Sequence, residues 1–431
     1  MRREIIQRCE EGCNVDEVSK RYEAVTGGTP TNMSRELDRL WEELVQLTPR
    51  RDFPFNEPSD LDEIRRTRPE GPRETGCTLS DEELYDKTYG AWLGRCAGCL
   101  LGKPVEGWPK DKIEGYLRLA GRYPLDNYFP LITPLPEGFK LHPNYREAML
   151  GNIEWMPRDD DMDYTILGLH ILEEHGTDFT TEDVAGEWLT HLPYRMVYTA
   201  ERVTYRNLVN GLTPPGAASH RNPYREWIGA QIRADIWGYV TPGMPELGAE
   251  YAYRDASLSH VKNGIYGEMF VSAMLSAVFA TDDLVEIIET GLSEIPESSR
   301  LSEAVRDVMN WHEECSDWQE AWDRVMEKYC DYHPVHTINN AAIVILGLLY
   351  GGGDFERSIS LSVMGGHDTD CKGATTGSIV GAILGADALS GKWIDPMNDR
   401  VKSIVVGFTD SRISDLAKRT CSIREKIEKH S

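Results

Sequence analysis

Apolar residues recur at helical spacing along most of this chain and rarely alternate as they would in a strand. In SRELDRLWEELVQL, residues 34–47, leucine and tryptophan return every three or four positions, which predicts an amphipathic helix. Ser80 followed by Glu83 forms a capping-box pattern, and Thr281 and Ser316 precede two further helical runs as expected N-caps. Because few segments alternate strictly, we expect an all-α fold and not a doubly wound sheet.

The helical pattern is interrupted between residues 48 and 78. This segment is rich in proline and charge, which is typical of an irregular linker or a wrapped arm. Residues 1–78 are therefore predicted to be a helical N-terminal extension and linker, and residues 79–431 one larger domain. The extension could form a lid, an oligomer contact or a partner surface, and the sequence leaves these alternatives open.

Two predicted helices carry glycine at every fourth position. The first is GAWLGRCAGCLLG, with Gly90, Gly94, Gly98 and Gly102, and the second is GATTGSIVGAILG, with Gly373, Gly377, Gly381 and Gly385. Each interior glycine costs about 1 kcal/mol relative to alanine, so the two series indicate close packing in return. A four-residue step leaves one helix face without side chains, where another helix or a ligand can approach the backbone. Both runs are too short to span a bilayer, and the first contains Arg95, which disfavours a membrane dimer motif.

Composition and charge restrict the class of partner. The chain has 431 residues, is 40% hydrophobic and carries a formal net charge of −25, so it can bury a core but opposes binding to nucleic acid or an anionic membrane. No run of eighteen apolar residues occurs, and the first residues lack the apolar centre of a secretory signal, which predicts a cytoplasmic location. The nine scattered cysteines exclude a disulfide framework, and we interpret Cys96 and Cys99 as buried small residues.

Two aspartate clusters, about two hundred residues apart, are the strongest candidates for chemistry. Asp159, Asp160 and Asp161 lie in MPRDDDMDYTILG, and Asp368 and Asp370 lie in GGHDTDCKGATTG. Adjacent carboxylates repel one another, so a fold that brings them together needs a cation or bound protons between them. Oxygen ligation favours a hard ion such as Mg²⁺, Mn²⁺ or Ca²⁺ over zinc. The alternative is that each cluster only caps a helix; the glycine pair before the second cluster argues against it.

At these motifs the chain resembles the ADP-ribosylglycohydrolase family, which includes the dinitrogenase reductase activating glycohydrolase. Three signatures agree in order: the glycine-stepped helix that runs into GKPVE at residues 102–106, the paired Asp160 and Asp161, and the GGHDTD segment before the second glycine helix. The resemblance covers roughly residues 80–410. It implies an all-α orthogonal helical bundle and a catalytic domain with two Mg²⁺ ions, or Mn²⁺ in their place, that hold the ribose hydroxyls beside the scissile glycosidic bond.

The resemblance also implies roles for individual residues. The implied metal ligands are Asp160, Asp161, Asp368 and Asp370, and the implied catalytic groups, among which the sequence does not choose, are Glu106, Asp160 and Asp161. The expected substrate-binding residues are Gly229 and Arg233 of an altered GNGxxMR loop, His260 beside Ser259, and Gly366, His367 and Asn339 near the same cleft. A core histidine at His260 and a helix cap at Asn339 remain as alternatives.

Several departures from the family pattern fall inside these motifs. Cys371 stands where a hydroxyl is usual, Cys99 where an Asp is usual, and His367 is an extra residue before Asp368. Asp159 stands where Thr is expected, so the register of the first cluster is ambiguous by one residue. A neutral thiol is a poor Mg²⁺ ligand, which puts the second ion in question.

The expected function is metal-dependent hydrolysis of a ribosyl N- or O-glycosidic bond, releasing ADP-ribose or a related ribosyl group from a small-molecule or protein-linked acceptor. A nucleosidase acting on a small nucleoside or nucleotide is one alternative, because Ile228 replaces the Asn of the family loop. A non-catalytic ligand-binding or structural protein on the same fold is another, and the retained aspartates argue against it. The leaving group and the oligomeric state stay open.

Overall fold

Helices dominate the computed structural model, which describes residues 1–27 and 33–428. The all-α fold expected from the sequence is confirmed. Within those ranges the one sheet has two antiparallel strands, β1 (Arg400–Lys402) and β2 (Asp410–Arg412), in a register that places Val401 opposite Ser411.

The α-helices follow one another along the chain, and the longest connection between two of those described covers residues 120–159. In the first half of the described chain they are α1 (Arg2–Glu10), α2 (Asp16–Gly27), α3 (Met33–Gln46), α4 (Leu61–Thr67), α5 (Asp81–Gly102), α6 (Lys110–Leu119), α7 (Asp160–His175), α8 (Thr181–His191), α9 (Thr199–Val209) and α10 (Gly216–Ser219). In the second half they are α11 (Asp235–Tyr239), α12 (Pro245–Ala256), α13 (Asn263–Ala277), α14 (Leu284–Leu292), α15 (Arg300–Glu314), α16 (Trp318–Tyr329), α17 (Thr337–Gly351), α18 (Phe355–Met364), α19 (Thr369–Leu384), α20 (Gly391–Ile394) and α21 (Ile413–Glu428). Short 3₁₀ turns occupy Lys103–Val105, Tyr145–Ala148, Tyr194–Met196, Gln231–Arg233, Ala386–Ala388 and Asp395–Met397.

Helix starts are set by short polar side chains. The capping box predicted at Ser80 is confirmed, since its hydroxyl accepts the Glu83 N–H and Glu83 accepts the Ser80 N–H. The N-caps predicted at Thr281 and Ser316 are wrong, because Asp283 and Asp317 cap α14 and α16. In both cases an aspartate lies nearer the first turn, and its carboxylate accepts the free N–H groups there.

The two glycine-stepped helices, α5 and α19, lie antiparallel with their backbones in direct contact. A Cβ atom added at Gly98 would overlap the carbonyl oxygen of Gly373, and one added at Gly102 would overlap that of Thr369. The remaining contacts pair Gly90 with Gly381 and Gly94 with Gly377. The predicted close packing is confirmed, and each glycine series is what approaches the other. The end of α5 therefore meets the start of α19, where Thr369 Oγ1 donates to the carbonyl of Gly102 at 2.8 Å.

The main core surrounds this helix pair. Every residue of α13 and of α17 is buried. Trp92, Trp188 and Trp237 are fully buried among the largest side chains of the core. None of the helices that the structure describes is long and apolar enough to cross a membrane. The cytoplasmic location stays a prediction.

The first three helices have a small apolar core of their own, formed by Ile5, Cys13, Val15, Val18, Leu40 and Leu44. Helix α1 contacts the rest of the molecule through buried charges. Arg225 Nη1 lies 2.9 Å from Glu4 Oε1, and Arg225 Nη2 lies 2.8 Å from Glu11 Oε1. These pairs hold the N-terminal helices against the segment that precedes α11.

The proline-rich segment 48–78 lies along the main core and contains helix α4. Ile64 on this helix is fully buried in the main core. Arg73 Nη1 lies 2.7 Å from the buried carboxylate of Glu294, which also pairs with Arg68. The segment therefore packs as an arm on the larger domain, and a domain boundary near residue 78 stays a prediction.

Candidate metal centre and substrate cavity

The two aspartate clusters converge on a cavity of about 480 Å³. The cavity lies where the end of α5, the start of α7 and the start of α19 meet. The predicted site residues on its wall are Glu106, Asp160, Gly229, Asp368 and Asp370. Its size is within the usual range for a small-molecule site.

Two backbone hydrogen bonds join the loops that carry Glu106 and Asp368. The Gly107 N–H donates to the carbonyl of His367 at 2.9 Å, and the His367 N–H donates to the carbonyl of Trp108 at 2.9 Å. Gly366 and His367 both have positive φ angles, of 77° and 65°, and this conformation is unusual for a residue with a Cβ atom. The strained backbone at His367 allows the loop to turn into α19 with both of its aspartates beside Glu106.

Glu106, Asp368 and Asp370 form a compact group of carboxylates. One ligand atom from each lies within 4.8 Å of the other two. Asp370 Oδ1 is buried and has no hydrogen-bond partner among the described residues. The charge of Asp370 together with burial raises the pKa of Glu106 to about 9, and burial with the Asp370 charge raises that of Asp368 well above its ordinary value. A cation among these groups would reverse both shifts, and the all-oxygen donor set fits a hard divalent ion.

The three consecutive aspartates at the start of α7 have different environments. Asp159 caps the helix by accepting the Asp161 N–H at 3.2 Å, and its other oxygen pairs with the buried ammonium of Lys103. Asp161 is fully buried and lies 3.3 Å from Arg95 Nη2. Asp160 faces the cavity, where burial and the charge of Asp159 raise its pKa to about 8. Asp159 and Asp160 both line the cavity, and of the three aspartates Asp160 is the one without a cationic atom of the described chain closer than 4.0 Å.

Two buried thiols lie among the carboxylates. Cys99 groups with Asp159 and Asp161, and Cys371 groups with Asp161 and Asp370. Burial raises the pKa of both thiols well above the ordinary value, so they are neutral at physiological pH. A second hard ion fits this part of the cluster poorly, because its donor set includes a neutral thiol.

Arg233 and His260 were expected to bind substrate, but in the described chain neither lies on the cavity wall. Arg233 is buried, with Nη1 3.0 Å from Glu201 Oε1 and Nε 2.5 Å from Asp255 Oδ2. His260 Nδ1 lies 2.8 Å from Ser259 Oγ, and burial with the charge of Arg233 lowers the histidine pKa well below its ordinary value. Glu201 does line the cavity, so these residues reach it through that carboxylate.

Gly229 lies directly against the side chain of Glu201. A Cβ atom at Gly229 would overlap the Glu201 carboxylate, so the glycine leaves room for that side chain at the wall.

The remaining predicted residues support the loop before α19. Asn339 donates to the carbonyl of His333 at 3.1 Å, and its neighbour Asn340 accepts the Asp368 N–H at 3.4 Å. His367 Nε2 lies 3.4 Å from the sulfur of Met326, and the carbonyl of Gly366 accepts the ammonium of Lys372. For the residues that the structure places, these groups contact protein atoms and do not line the cavity.

Sequence reasoning missed several wall residues: Lys103, His142, Arg158, Tyr198, Thr199 and Glu201. The sequence did contain a signal for Lys103, since it is a charged residue placed directly after a glycine-stepped helix that is expected to be buried. Tyr198, Thr199 and Glu201 come from the first turn of α9 and the residue before it, where the sequence contains no motif.

A second cavity, of about 420 Å³, adjoins the first, and Thr199 lines both. Three arginines line it: Arg3 from α1, and Arg202 and Arg206 from α9. No carboxylate oxygen among the described residues lies within 4.0 Å of these guanidinium groups. Its aromatic wall includes Trp227, stacked on His333 with ring centroids 4.1 Å apart. We call this second cavity the arginine pocket.

The fold is all-α, and its cavity carries a group of carboxylates that could hold a metal ion. The chain belongs to the ADP-ribosylglycohydrolase family, whose model matches residues 80–429. Membership supports glycohydrolase activity in general, that is, the hydrolysis of glycosidic bonds. No curated protein matches the chain.

Among solved structures, a chain described as "ADP-ribosylglycohydrolase-related protein complex" is similar, with a TM-score of 0.53 and 19% identity over 80% of this chain and 99% of that chain. At that identity the likeness concerns the fold.

Proposed function

We propose that this protein is a metal-dependent glycohydrolase that cleaves a ribosyl N- or O-glycosidic bond and releases ADP-ribose or a related ribosyl group. The observation that carries the proposal is the group formed by Glu106, Asp368 and Asp370 on the wall of a cavity of small-molecule size. Asp160 lies on the same wall and belongs to none of the three-ligand groups found among the described residues. The site thus offers a metal cluster and a separate carboxylate.

Glu106, Asp368 and Asp370 would hold Mg²⁺ or Mn²⁺, since all three offer carboxylate oxygens. When bound, such an ion orients the sugar hydroxyls and stabilises negative charge that develops during bond cleavage. The second ion implied by the resemblance would share Asp161, Asp370 and Cys371. Its place is disfavoured because Lys103 already neutralises Asp159 and the thiol is neutral.

Asp160 is the proposed general base. Its side chain is 30% exposed, and the nearest cationic atom, Arg158 Nη1, is 4.0 Å away. The carboxylate can therefore accept a hydrogen bond from a water molecule in the cavity and take its proton during attack on the anomeric carbon. Glu106 lies 3.5 Å from His142 and is proposed as a metal ligand that this histidine orients.

The proposed substrate is anionic. The arginine pocket provides donors for phosphate oxygens beside the acidic cavity, and arginine binds phosphate with paired hydrogen bonds. A nucleosidase remains the alternative, because Ile228, Ile232 and Val335 make part of the acidic cavity apolar. A non-catalytic role is a weaker alternative, since it does not explain why a carboxylate outside the metal cluster faces the cavity.

Two variants separate metal binding from chemistry. Asp370→Asn should lose both Mn²⁺ binding and turnover, whereas Asp160→Asn should keep Mn²⁺ binding and lose at least about 100-fold in kcat, as expected for a general base. Asp62→Asn, at an exposed aspartate of α4, is the matched control and should match the wild type.

Mn²⁺ binding is followed by electron paramagnetic resonance, and turnover by release of ADP-ribose from ADP-ribosylated protein or of base from free nucleosides. Base release alone would select the nucleosidase. Mn²⁺ binding without any product would leave only the non-catalytic role. An active Asp370→Asn variant without bound metal would overturn the proposal.

A further inference from the structure

Two histidines and a glutamate converge between α7 and α8, outside the acidic cavity. His170 comes from α7, and Glu187 and His191 come from α8. His170 Nε2 lies 3.3 Å from Glu187 Oε2, and His191 Nδ1 lies 2.7 Å from the same oxygen. The three side chains are 13%, 14% and 17% exposed, so they are largely shielded from water.

Glu187 Oε2 and His191 Nδ1 lie close together but do not have the geometry of a hydrogen bond. Glu187 Oε2 and His191 Nδ1 are both inaccessible to solvent, and neither has a hydrogen-bond partner within the described part of the chain. Two electron-rich atoms at 2.7 Å repel unless a cation or a proton lies between them. The second oxygen of Glu187 is already engaged by His175 Nε2 at 2.8 Å, which leaves Oε2 directed at the two imidazoles.

We propose that His170, Glu187 and His191 bind one divalent transition-metal ion of the zinc type. Two imidazoles and a carboxylate are a common three-ligand set for Zn²⁺, with the fourth position left to water. Glu187 and His191 are four residues apart on one helix, so they present their donors from the same face. His175 would be the outer partner that orients the glutamate, as is usual around metal ligands.

This site differs in chemistry and place from the acidic cavity. Imidazole ligands select zinc-type ions, whereas the carboxylates around Asp370 select Mg²⁺ or Mn²⁺. His170 is ten residues, or about 15 Å along the helix axis, from Asp160 on α7. An ion at this site would fix α7 against α8, and α7 is the helix whose first turn forms part of the acidic cavity.

The competing explanation is an ion-pair cluster in which a protonated histidine faces Glu187. Titration with Co²⁺ distinguishes the two, because cobalt bound to nitrogen and oxygen ligands in a tetrahedral site gives strong visible absorption. The full chain is stripped with a chelator and carries Asp370→Asn, so that the acidic cavity does not compete. The expected result is one equivalent of Co²⁺ with tetrahedral absorption, displaced by Zn²⁺ and not by Mg²⁺.

Ligand variants then test the assignment. His191→Gln and Glu187→Gln, each in the Asp370→Asn background, should weaken Co²⁺ binding by more than about 100-fold, and His175→Gln by about 10-fold, as expected for an outer partner. His220→Gln, at an exposed histidine, is the control and should bind like the parent. Circular dichroism of each metal-free variant verifies the fold.

No bound equivalent in the parent, or unchanged binding by both His191→Gln and Glu187→Gln, would overturn the proposal. Either result would leave the proposed glycohydrolase activity untouched, because Glu187 and His191 lie outside the acidic cavity and Asp370→Asn is common to the parent and all its variants.

Discussion

Lys103 and Asp159 form an ion pair beside the acidic cavity, with side chains only 4% and 3% exposed. Burial opposes the charge on Lys103, but Asp159, through its charge and hydrogen bond, together with the neighbouring Cys99 and Asp370 outweighs it and raises the lysine pKa. The ammonium group thereby supplies the positive charge that Asp159 would otherwise need from an ion. The metal centre of this chain is accordingly expected to hold one tight divalent ion.

Lys103→Met should remove this positive charge and allow a second divalent ion to bind beside Asp159. Without divalent ions the variant leaves a buried carboxylate unpaired, which costs about 3–5 kcal/mol in unfolding free energy. Mg²⁺ or Mn²⁺ should restore much of the loss, and the number of bound Mn²⁺ ions should rise from one to two. Urea denaturation with and without Mn²⁺ and a spin-resonance titration measure both effects. Lys418→Met, at an exposed lysine, is the control; two tight ions already present in the wild type would contradict the prediction.

A glycine-to-alanine substitution should have opposite effects on stability at the contact between α5 and α19 and at an exposed glycine of α8. Gly98→Ala would place Cβ against the backbone of Gly373, and overpacking of this kind costs about 1–3 kcal/mol or more. Gly186→Ala, on the exposed face of α8 with nothing within 4 Å of the new Cβ, should stabilise the protein by up to about 1 kcal/mol. Urea midpoints compare the two variants with the wild type. Equal midpoints for both variants would show that the helix contact is looser than described.

The arginine pocket predicts an effect of the N-terminal helix on substrate affinity. Arg3 lines this pocket, and its guanidinium carbon lies 5.5 Å from the centre of the Trp227 ring. Arg3→Ala should raise KM for an ADP-ribosylated substrate about 10-fold with kcat unchanged, since it removes one charge-assisted contact shared by ground state and transition state.

Arg2→Ala is the matched control for this measurement, because Arg2 is the exposed neighbour on the same helix. A nucleoside without phosphate should show the same KM for all three proteins. If Arg3→Ala leaves KM for the phosphorylated substrate unchanged, the phosphate binds elsewhere.

The stability that the packing of α1 contributes to the fold should depend on pH because of Glu10. Burial, and next the charge of Glu226, raise the pKa of Glu10 from 4.5 to about 8. The folded state therefore binds a proton that the unfolded chain releases, so stability is complete below pH 4.5 and falls as pH rises to about 8. The slope from this one group is at most about 1.4 kcal/mol per pH unit.

Glu10→Gln should remove this part of the pH dependence. Urea midpoints measured at pH 5 and pH 8 should differ less for Glu10→Gln than for the wild type. Glu23→Gln, at an exposed glutamate of α2, should behave as the wild type does. A Glu10→Gln variant with the wild-type pH response would exclude Glu10 as the cause.

Local sequence patterns were enough to predict the fold and the acidic residues of the candidate site. Glycine spacing predicted the close contact, because a helix face without side chains lets another backbone approach, and the aspartate pairs predicted a cation because of their mutual repulsion. The partners of those groups were not predictable in the same way. Lys103 reaches Asp159 across 56 positions of sequence, and the arginine pocket combines α1 with α9. Such contacts depend on tertiary packing, which produces no recognisable spacing of residues along the sequence.

The contact between α5 and α19 is made by backbone atoms, so it does not depend on which side chains follow at the ends of the two helices. Cys99, Lys103 and Cys371 all lie at that end, and each can be replaced without touching a glycine. The scaffold thus separates the contact between the two helices from the requirements of metal chemistry. Substitutions at those three positions can therefore change the number of bound ions while the helix contact is kept.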